Sequence, residues 1–424
     1  MRKFFNKRNY LIQKFTTNRK KWFTISRLFV ILIAIIVMVG SLGTRILRDS
    51  GKDNLYAHQA QALLEGHLDI KKQSPEKLAD IAVFNGQYYV AFPPFPTILL
   101  LPFVMIFGIE NTKPVLIALI LTLLNIYSLI QILKKIDTQY KYVLWLTTAF
   151  FLGTGYWSIL RGSMGVWGFA QVVATTALFL ALNEALGQGR GVIVGMFLGA
   201  AILSRQSSIF YLIFLCALLW KNHRMGYMKE RALNIFWLLV VLGLWGGSYL
   251  YLNWLRFGNM FDTGYSYILT APGFLEERIQ RYGLFNAAYI PFNFIYMFIQ
   301  GFQINIDPAT LQVWGMNSFG TSLTFASPFL FIALWAKWDK VILRAAWISI
   351  ILILGVILMY YNNGWIQLNT QRFALDFIPM LILLVALGMK RIDERIWKAA
   401  ITYSVTLNIL ALFAVPLIVW LNRP

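Results

Sequence analysis

Between Leu47 and Pro94 this chain gathers Asp49, Asp53, Asn54, Tyr56, Glu65, Asp69 and Asp80, and closes with Tyr88, Tyr89 and the run Phe92-Pro93-Pro94-Phe95-Pro96. A carboxylate held among such groups can take a proton from a hydroxyl, which is general-base chemistry. Asp53, in Lys52-Asp53-Asn54-Leu55-Tyr56, is the sharpest candidate. The same position also suits a helix N-cap, because Asp53 or Asn54 precedes a helical stretch from Tyr56 to Glu65; such a cap is worth about 1 kcal/mol. Further along, Arg161, Arg205 and Arg372 stand in or beside apolar sequence. A guanidinium at membrane depth requires an acid or a wet cavity, and its fork of N–H donors matches phosphate. Arg372 and Asp376 are four apart, so they either pair on one helix face or both meet a substrate. His58, Glu65, His67 and Asp69 are mixed ligand types for a divalent metal, but the chain has three histidines, no His-x-x-x-His and no Asp-x-Asp.

The elements that must position these groups are set by hydropathy. The chain has 424 residues, of which 58% are hydrophobic and 13% charged, with a mean hydropathy of +0.61. Soluble domains do not have this composition. Repeated apolar runs match a bilayer core of about 30 Å at about 1.5 Å per helical residue. The expected fold is an all-α polytopic membrane helix bundle of about 11–12 transmembrane helices. Apolar segments fall near 28–46, 95–109, 114–133, 143–160, 165–186, 191–203, 209–220, 234–253, 322–336, 345–360, 377–389 and 399–421.

The net charge of +20 is confined to short connections and the N-terminal tail, so it reports topology rather than nucleic-acid binding. Residues 1–27 carry nine Lys or Arg and no acid, and are expected to form a basic cytoplasmic tail on a membrane domain of 28–424. Lys134, Lys135 and Lys141, then Lys221, Arg224, Lys229 and Arg231, then Lys337, Lys340 and Arg344, and finally Lys390, Arg391, Arg395 and Lys398 are assigned to the inside. The outer face then holds a first loop, 47–94, carrying short juxtamembrane helices, and a second long segment, 254–321. To keep Lys134 and Lys135 inside, the segment 95–109 must enter and return on one face, in keeping with Pro93, Pro94 and Pro96 at its start. The single Cys216 excludes an intramolecular disulfide.

The residues then take on a likeness. Asp53-Asn54 with Leu64-Glu65-Gly66-His67-Leu68-Asp69, then Asn85-Gly86-Gln87-Tyr88-Tyr89-Val90 running into Phe92-Pro93-Pro94-Phe95-Pro96, followed by Gly165-Val166-Trp167-Gly168-Phe169-Ala170-Gln171, Leu203-Ser204-Arg205, Leu255-Arg256-Phe257-Gly258 through Thr263-Gly264-Tyr265, and Arg372-Phe373-Ala374-Leu375-Asp376-Phe377, resemble the GT-C superfamily of polytopic membrane glycosyltransferases. The branch resembled is that of protein O-mannosyltransferases and aminoarabinose transferases. The resemblance implies transfer of a sugar from a polyprenyl-phosphate donor to a glycan, lipid or protein acceptor on the outer face of the cell membrane. It singles out Asp53 as base and places Asp49, Asp69 and Asp80 second, with Asp80 among the substrate-binding groups. Arg205, Arg372 and Arg161 are expected to hold the lipid phosphate. Tyr56, Tyr88, Tyr89 and Trp365 are expected to stack on sugar, the competing role for such residues being interfacial anchoring. Where Ala170 and Gln171 stand, relatives often carry a His. No cofactor is assigned, a divalent metal being the weakly supported alternative. A transporter or flippase of a lipid-linked or anionic solute is the alternative from another class, and a non-catalytic assembly partner is a third.

Overall fold

A computed structural model describes residues 49–71, 80–136, 138–222, 226–270, 273–362 and 371–421. The basic tail, the first apolar segment, Arg224 and Trp365 lie outside the described residues. Helices α1 (Leu55–Leu64), α2 (Phe95–Asn111), α3 (Pro114–Lys135), α4 (Tyr140–Leu152), α5 (Tyr156–Arg161), α6 (Val166–Ala185), α7 (Gly191–Ile202), α8 (Tyr211–Trp220), α9 (Met228–Phe257), α10 (Phe274–Tyr282), α11 (Lys340–Leu358), α12 (Ile378–Gly388) and α13 (Glu394–Leu421) dominate the chain. Among the described residues α3, α6, α9, α11 and α13 are long and apolar enough to cross a bilayer, and Phe95–Asn111, Gly191–Ile202, Gln206–Trp220 and Ala287–Ile299 form shorter apolar helices. The expected helical membrane bundle is thus built, among the described residues, from long helices and shorter apolar ones. Two short antiparallel hairpins, β1 (Ala82–Phe84) with β2 (Gln87–Tyr89) and β3 (Ile304–Ile306) with β4 (Val313–Met316), are the only strands described. The hydropathy pattern did not anticipate them, although Asn85-Gly86 forms the β1–β2 turn with φ of 49° and 76°, the pair of positive values that such a turn demands.

The basic clusters converge on one end of the bundle. Lys135 donates to the Asn183 carboxamide at 2.6 Å, Asn222 donates to the Ala185 carbonyl, Lys221 pairs with Asp339 at 3.1 Å, and Lys141 pairs with Glu394 at 2.5 Å. These contacts join the C-terminal ends of α3, α6 and α8 to the N-terminal ends of α4, α11 and α13. All the opposite helix ends, including those at Lys113, Arg205, Tyr360 and Asp376, must then lie at the other end.

Helix α2 starts and finishes there. The Phe95 amide donates to the Leu203 carbonyl at 2.9 Å, while Glu110 at its other end pairs with Lys52 beside the start of α3. Its 17 residues thus lead from the end of α7 to the start of α3. Pro94 and Pro96 occupy its start, where a missing N–H costs no hydrogen bond.

Close packing fixes the site end of α7. Gly191, Gly195 and Gly199 form a seam facing α9; a Cβ on Gly199 would run into the Trp245 ring, and one on Gly191 into the Asn234 carbonyl. Backbones approach this closely only where side chains are small. At about 1.5 Å per residue the 12 residues of α7 rise about 18 Å, well short of a bilayer core of about 30 Å. The turn that follows, Leu203 to Arg205, is thereby set below the far surface. Helix α12 is buried along its whole length and holds the partner turn, Arg372–Asp376, against it.

Candidate active site

Two turns meet at the end opposite the basic clusters. The first breaks α7 at Ser204-Arg205 and continues as a 3-10 turn, Gln206–Phe210. The second is the 3-10 turn Arg372–Asp376, every residue of which is buried. Arg205 grips Asp376 across them: Nε donates to Oδ1 at 3.1 Å and Nη2 to Oδ2 at 2.7 Å. The Ser207 hydroxyl adds a third bond to Oδ2 at 2.6 Å. The expected alternative of Arg372 and Asp376 pairing on one helix face is corrected here, because the segment is a tight turn and the carboxylate is taken by Arg205, 171 positions away in sequence.

Arg372 lies over the Trp167 and Phe373 rings, with centroid distances of 5.1 and 4.9 Å. Arg205 sits over the same Phe373 ring at 5.1 Å, so one aromatic side chain separates two guanidiniums. Burial, then the neighbouring charge of Arg205, pulls the Arg372 pKa down to about 10. The turn itself is tied on both sides: Gln171 donates its amide to the Arg372 carbonyl at 3.1 Å, and Gln371 donates to the Phe319 carbonyl at 2.7 Å.

Asp80 lies near enough to Arg372 for the two charges to interact. It sits in the left-handed region at φ 71°, which a short polar side chain tolerates, immediately before β1. Leu269 donates to the adjacent Ile81 carbonyl at 3.0 Å and holds the hairpin in place. Burial raises the Asp80 carboxyl to about 6, with Arg372 pulling the other way. Among the described residues no hydrogen bond ties the Asp80 carboxylate to either arginine. The phenols of Tyr265 and Tyr361 are close enough to feel its charge, and burial raises both. Tyr56 is 1% exposed, packs edge-on to Phe92 at 6.4 Å, and senses Arg205 and Tyr265. On the far side of Tyr265, Gln206 donates to the Tyr249 hydroxyl at 3.2 Å.

The structure thus brings together Arg205, Arg372, Asp376, Asp80 and Tyr56. Asp53 is placed differently: it is exposed at the end of a short 3-10 turn, next to the Lys52–Glu110 pair. The helix cap belongs to Asn54, whose Oδ1 accepts from the Tyr56 amide at 3.0 Å while its Nδ2 donates to the Met164 carbonyl. Arg161 belongs to α5, which packs on the Arg372–Asp376 turn, but its Nη1 donates to the Leu412 carbonyl at 2.6 Å. Tyr89 packs against Phe257 at 5.4 Å and donates to the Gln87 side chain, while Tyr88 pairs with Val83 in the hairpin. Tyr249, Tyr360 and Tyr361 were missed, since a tyrosine at the end of an apolar segment has no spacing that separates a site residue from an interfacial anchor; Tyr265 entered only as part of the resemblance.

A separate open cavity of about 180 Å³ is lined by His58, Gln61, Glu65, His67, Asp69 and Lys71. Glu65 accepts from Gln61 at 2.9 Å and from Lys71 at 3.2 Å. Among the described residues no group of three or more His, Cys, Asp or Glu gathers as a metal site.

No family model matches the chain, and no curated protein does so. Two solved structures are similar to it. The crystal structure of ArnT from Cupriavidus metallidurans bound to undecaprenyl phosphate is 18% identical, with a TM-score of 0.49, over 89% of this chain and 62% of that one. The apo state of the same protein gives 16% identity, a TM-score of 0.49 and the same coverage. The chain spans 62% of the length of these structures. By its own helices and hydropathy it is an all-α, multi-pass membrane protein whose buried arginines and acids collect at the end away from its basic connections.

Proposed function

We propose that this protein is a glycosyltransferase that moves a sugar from a polyprenyl-phosphate donor to an acceptor on the outer face of the cell membrane, with inversion at the anomeric carbon. The observation that carries the reading is one closed and one open acid–arginine couple side by side. Arg205 and Asp376 are locked together, whereas Asp80 and Arg372 are coupled by charge with no hydrogen bond between them among the described residues. A lipid phosphate entering between them meets two guanidiniums at a depth where such contacts are strong.

Asp80 then takes the proton of the acceptor hydroxyl as the new bond to the anomeric carbon forms. The old bond to the phosphate oxygen breaks, and the lipid phosphate leaves with its electron pair, its charge held by Arg205 and Arg372. A carboxyl near 6 is ionised at neutral pH yet basic enough to accept that proton. Asp53, the base implied by the sequence resemblance, is exposed at the end of its turn; we propose Asp80 for the role on the strength of its raised carboxyl beside Arg372. Tyr265 and Tyr361 are placed to meet the sugar.

The test is purified protein in vesicles with an undecaprenyl-phosphate sugar, following release of free undecaprenyl phosphate. The expected result is release that is cut by about 100-fold or more in Asp80→Asn and by far less in Asp53→Asn. Movement of intact donor across the bilayer without release would assign transport instead. Equal losses in both variants would return Asp53 to the mechanism.

A further inference from the structure

The hairpin β3–β4 has an apolar surface that no packing among the described residues explains. Ile306 is 54% exposed, Trp314 64% and Leu311, at the turn, 78%, with Ile304 also exposed. Residues 301–320 contain no lysine or arginine and a single acid, Asp307. That acid is consumed locally, its Oδ1 accepting from the Ala309 and Thr310 amides at 2.8 Å each. The ribbon therefore offers bulk apolar side chains and almost no charge.

Its position says what meets them. Strand β4 packs on the last turns of α13, a helix long and apolar enough to cross the membrane and exposed there at Leu417, Ile418, Trp420 and Leu421. The other end of α13 carries Glu394 with Lys141 and Lys398, so the hairpin lies at the end away from the basic clusters. Its apolar residues continue a surface that already faces lipid. A two-stranded ribbon leaves edge N–H and C=O groups unpaired, which bars it from the hydrocarbon centre and suits it to the headgroup boundary, where tryptophan is favoured.

We propose that β3–β4 is a membrane-interface anchor that dips Ile304, Ile306, Leu311 and Trp314 into the lipid leaflet on the side of the candidate site. The root of the hairpin reaches that site directly, since the Phe319 carbonyl accepts from Gln371, the residue before Arg372. Anchoring the ribbon would thus set the depth of the arginine turn relative to lipid headgroups. The lipid contact itself does not rest on the glycosyltransferase reading.

The experiment is a nitroxide at Leu311→Cys, and separately at Ile306→Cys, in a Cys216→Ser background, with the full chain in vesicles of phosphatidylethanolamine and phosphatidylglycerol. Both labels should collide with membrane-dissolved oxygen several-fold more than with a water-soluble nickel chelate, the reverse of a label at Lys229→Cys, an exposed position at the basic end. Chelate access equal to that control would overturn the anchor. Labels shielded from both reagents would overturn it as well, pointing to a protein partner or a second copy over the hairpin.

Discussion

The cavity at the end of α1 and the buried turns around Phe373 contrast in how their charge is held. The first has two histidines, two acids and a lysine around open space, and its ion pair, Glu65 with Lys71, is exposed. The second has two arginines and two acids, of which Arg372 and Asp376 are buried and Arg205 and Asp80 half-buried. Water screens the first set so effectively that such pairs are worth about 0–1 kcal/mol. In the second set each charge must be answered by a partner, so the arrangement of partners is what carries information. The contrast teaches that the number of ionisable groups in a region is a poor guide to chemistry, and that the way their charges are balanced out of water is a better one.

Removing one arm of the closed couple breaks this contrast most severely. Arg205→Ala leaves Asp376 buried without its bidentate partner, which costs about 3–5 kcal/mol for a fully buried pair; because Arg205 keeps 22% of its side chain exposed, the lower end applies. A thermal melt should show the loss, and Arg205→Ala with Asp376→Asn together should restore most of the stability. Turnover should stay depressed by about 100-fold or more in both, since the phosphate contact is gone in each. Recovery of turnover in the double variant would reduce Arg205 to a structural role.

The open couple is tested by pH. A base must be deprotonated to act, so with Asp80 near 6 kcat/KM should rise tenfold per pH unit below that value and level off above it. Arg372→Gln removes the cation that opposes the effect of burial, so the rise should move to higher pH, alongside the loss of phosphate contact. A profile flat from pH 5 to 7 in the wild type, within the window of about two units around such a pKa, would remove Asp80 as the titrating group.

The smallest effect belongs to the exposed cavity. Glu65→Ala should change stability by no more than about 0.5 kcal/mol and turnover by less than about twofold. A large loss would mean that this cavity takes part in acceptor binding, and would blur the difference between the two regions.

Much of the frame was legible in advance. The alternation of Lys and Arg clusters located one end of the long helices near Lys135, Lys221 and Glu394 because burying a lysine in lipid is costly. Helix α1 and its turn at Gly66 followed from local spacing. The identity of the cap did not, as Asp53 and Asn54 are equivalent in sequence and only the Met164 carbonyl, 110 positions away, favours Asn54. Arg372 and Asp376 illustrate the limit from the other side: an i, i+4 spacing implies a pair only if the segment is an α-helix, and here it is a 3-10 turn.

By itself the sequence determined a multi-pass helical membrane protein, the sorting of its basic connections to one end, and Arg205 and Arg372 as costly charges in need of partners. These follow from composition and from transfer energies, which belong to residues one at a time or to short windows. Tertiary structure alone decided which acid meets which arginine, that Asp80 is half-buried near Arg372 while Asp53 is exposed, and that Tyr361 joins them. Those outcomes depend on how short helices such as α7 stop below the surface and pack through Gly199, a matter of shape that contacts between distant segments settle.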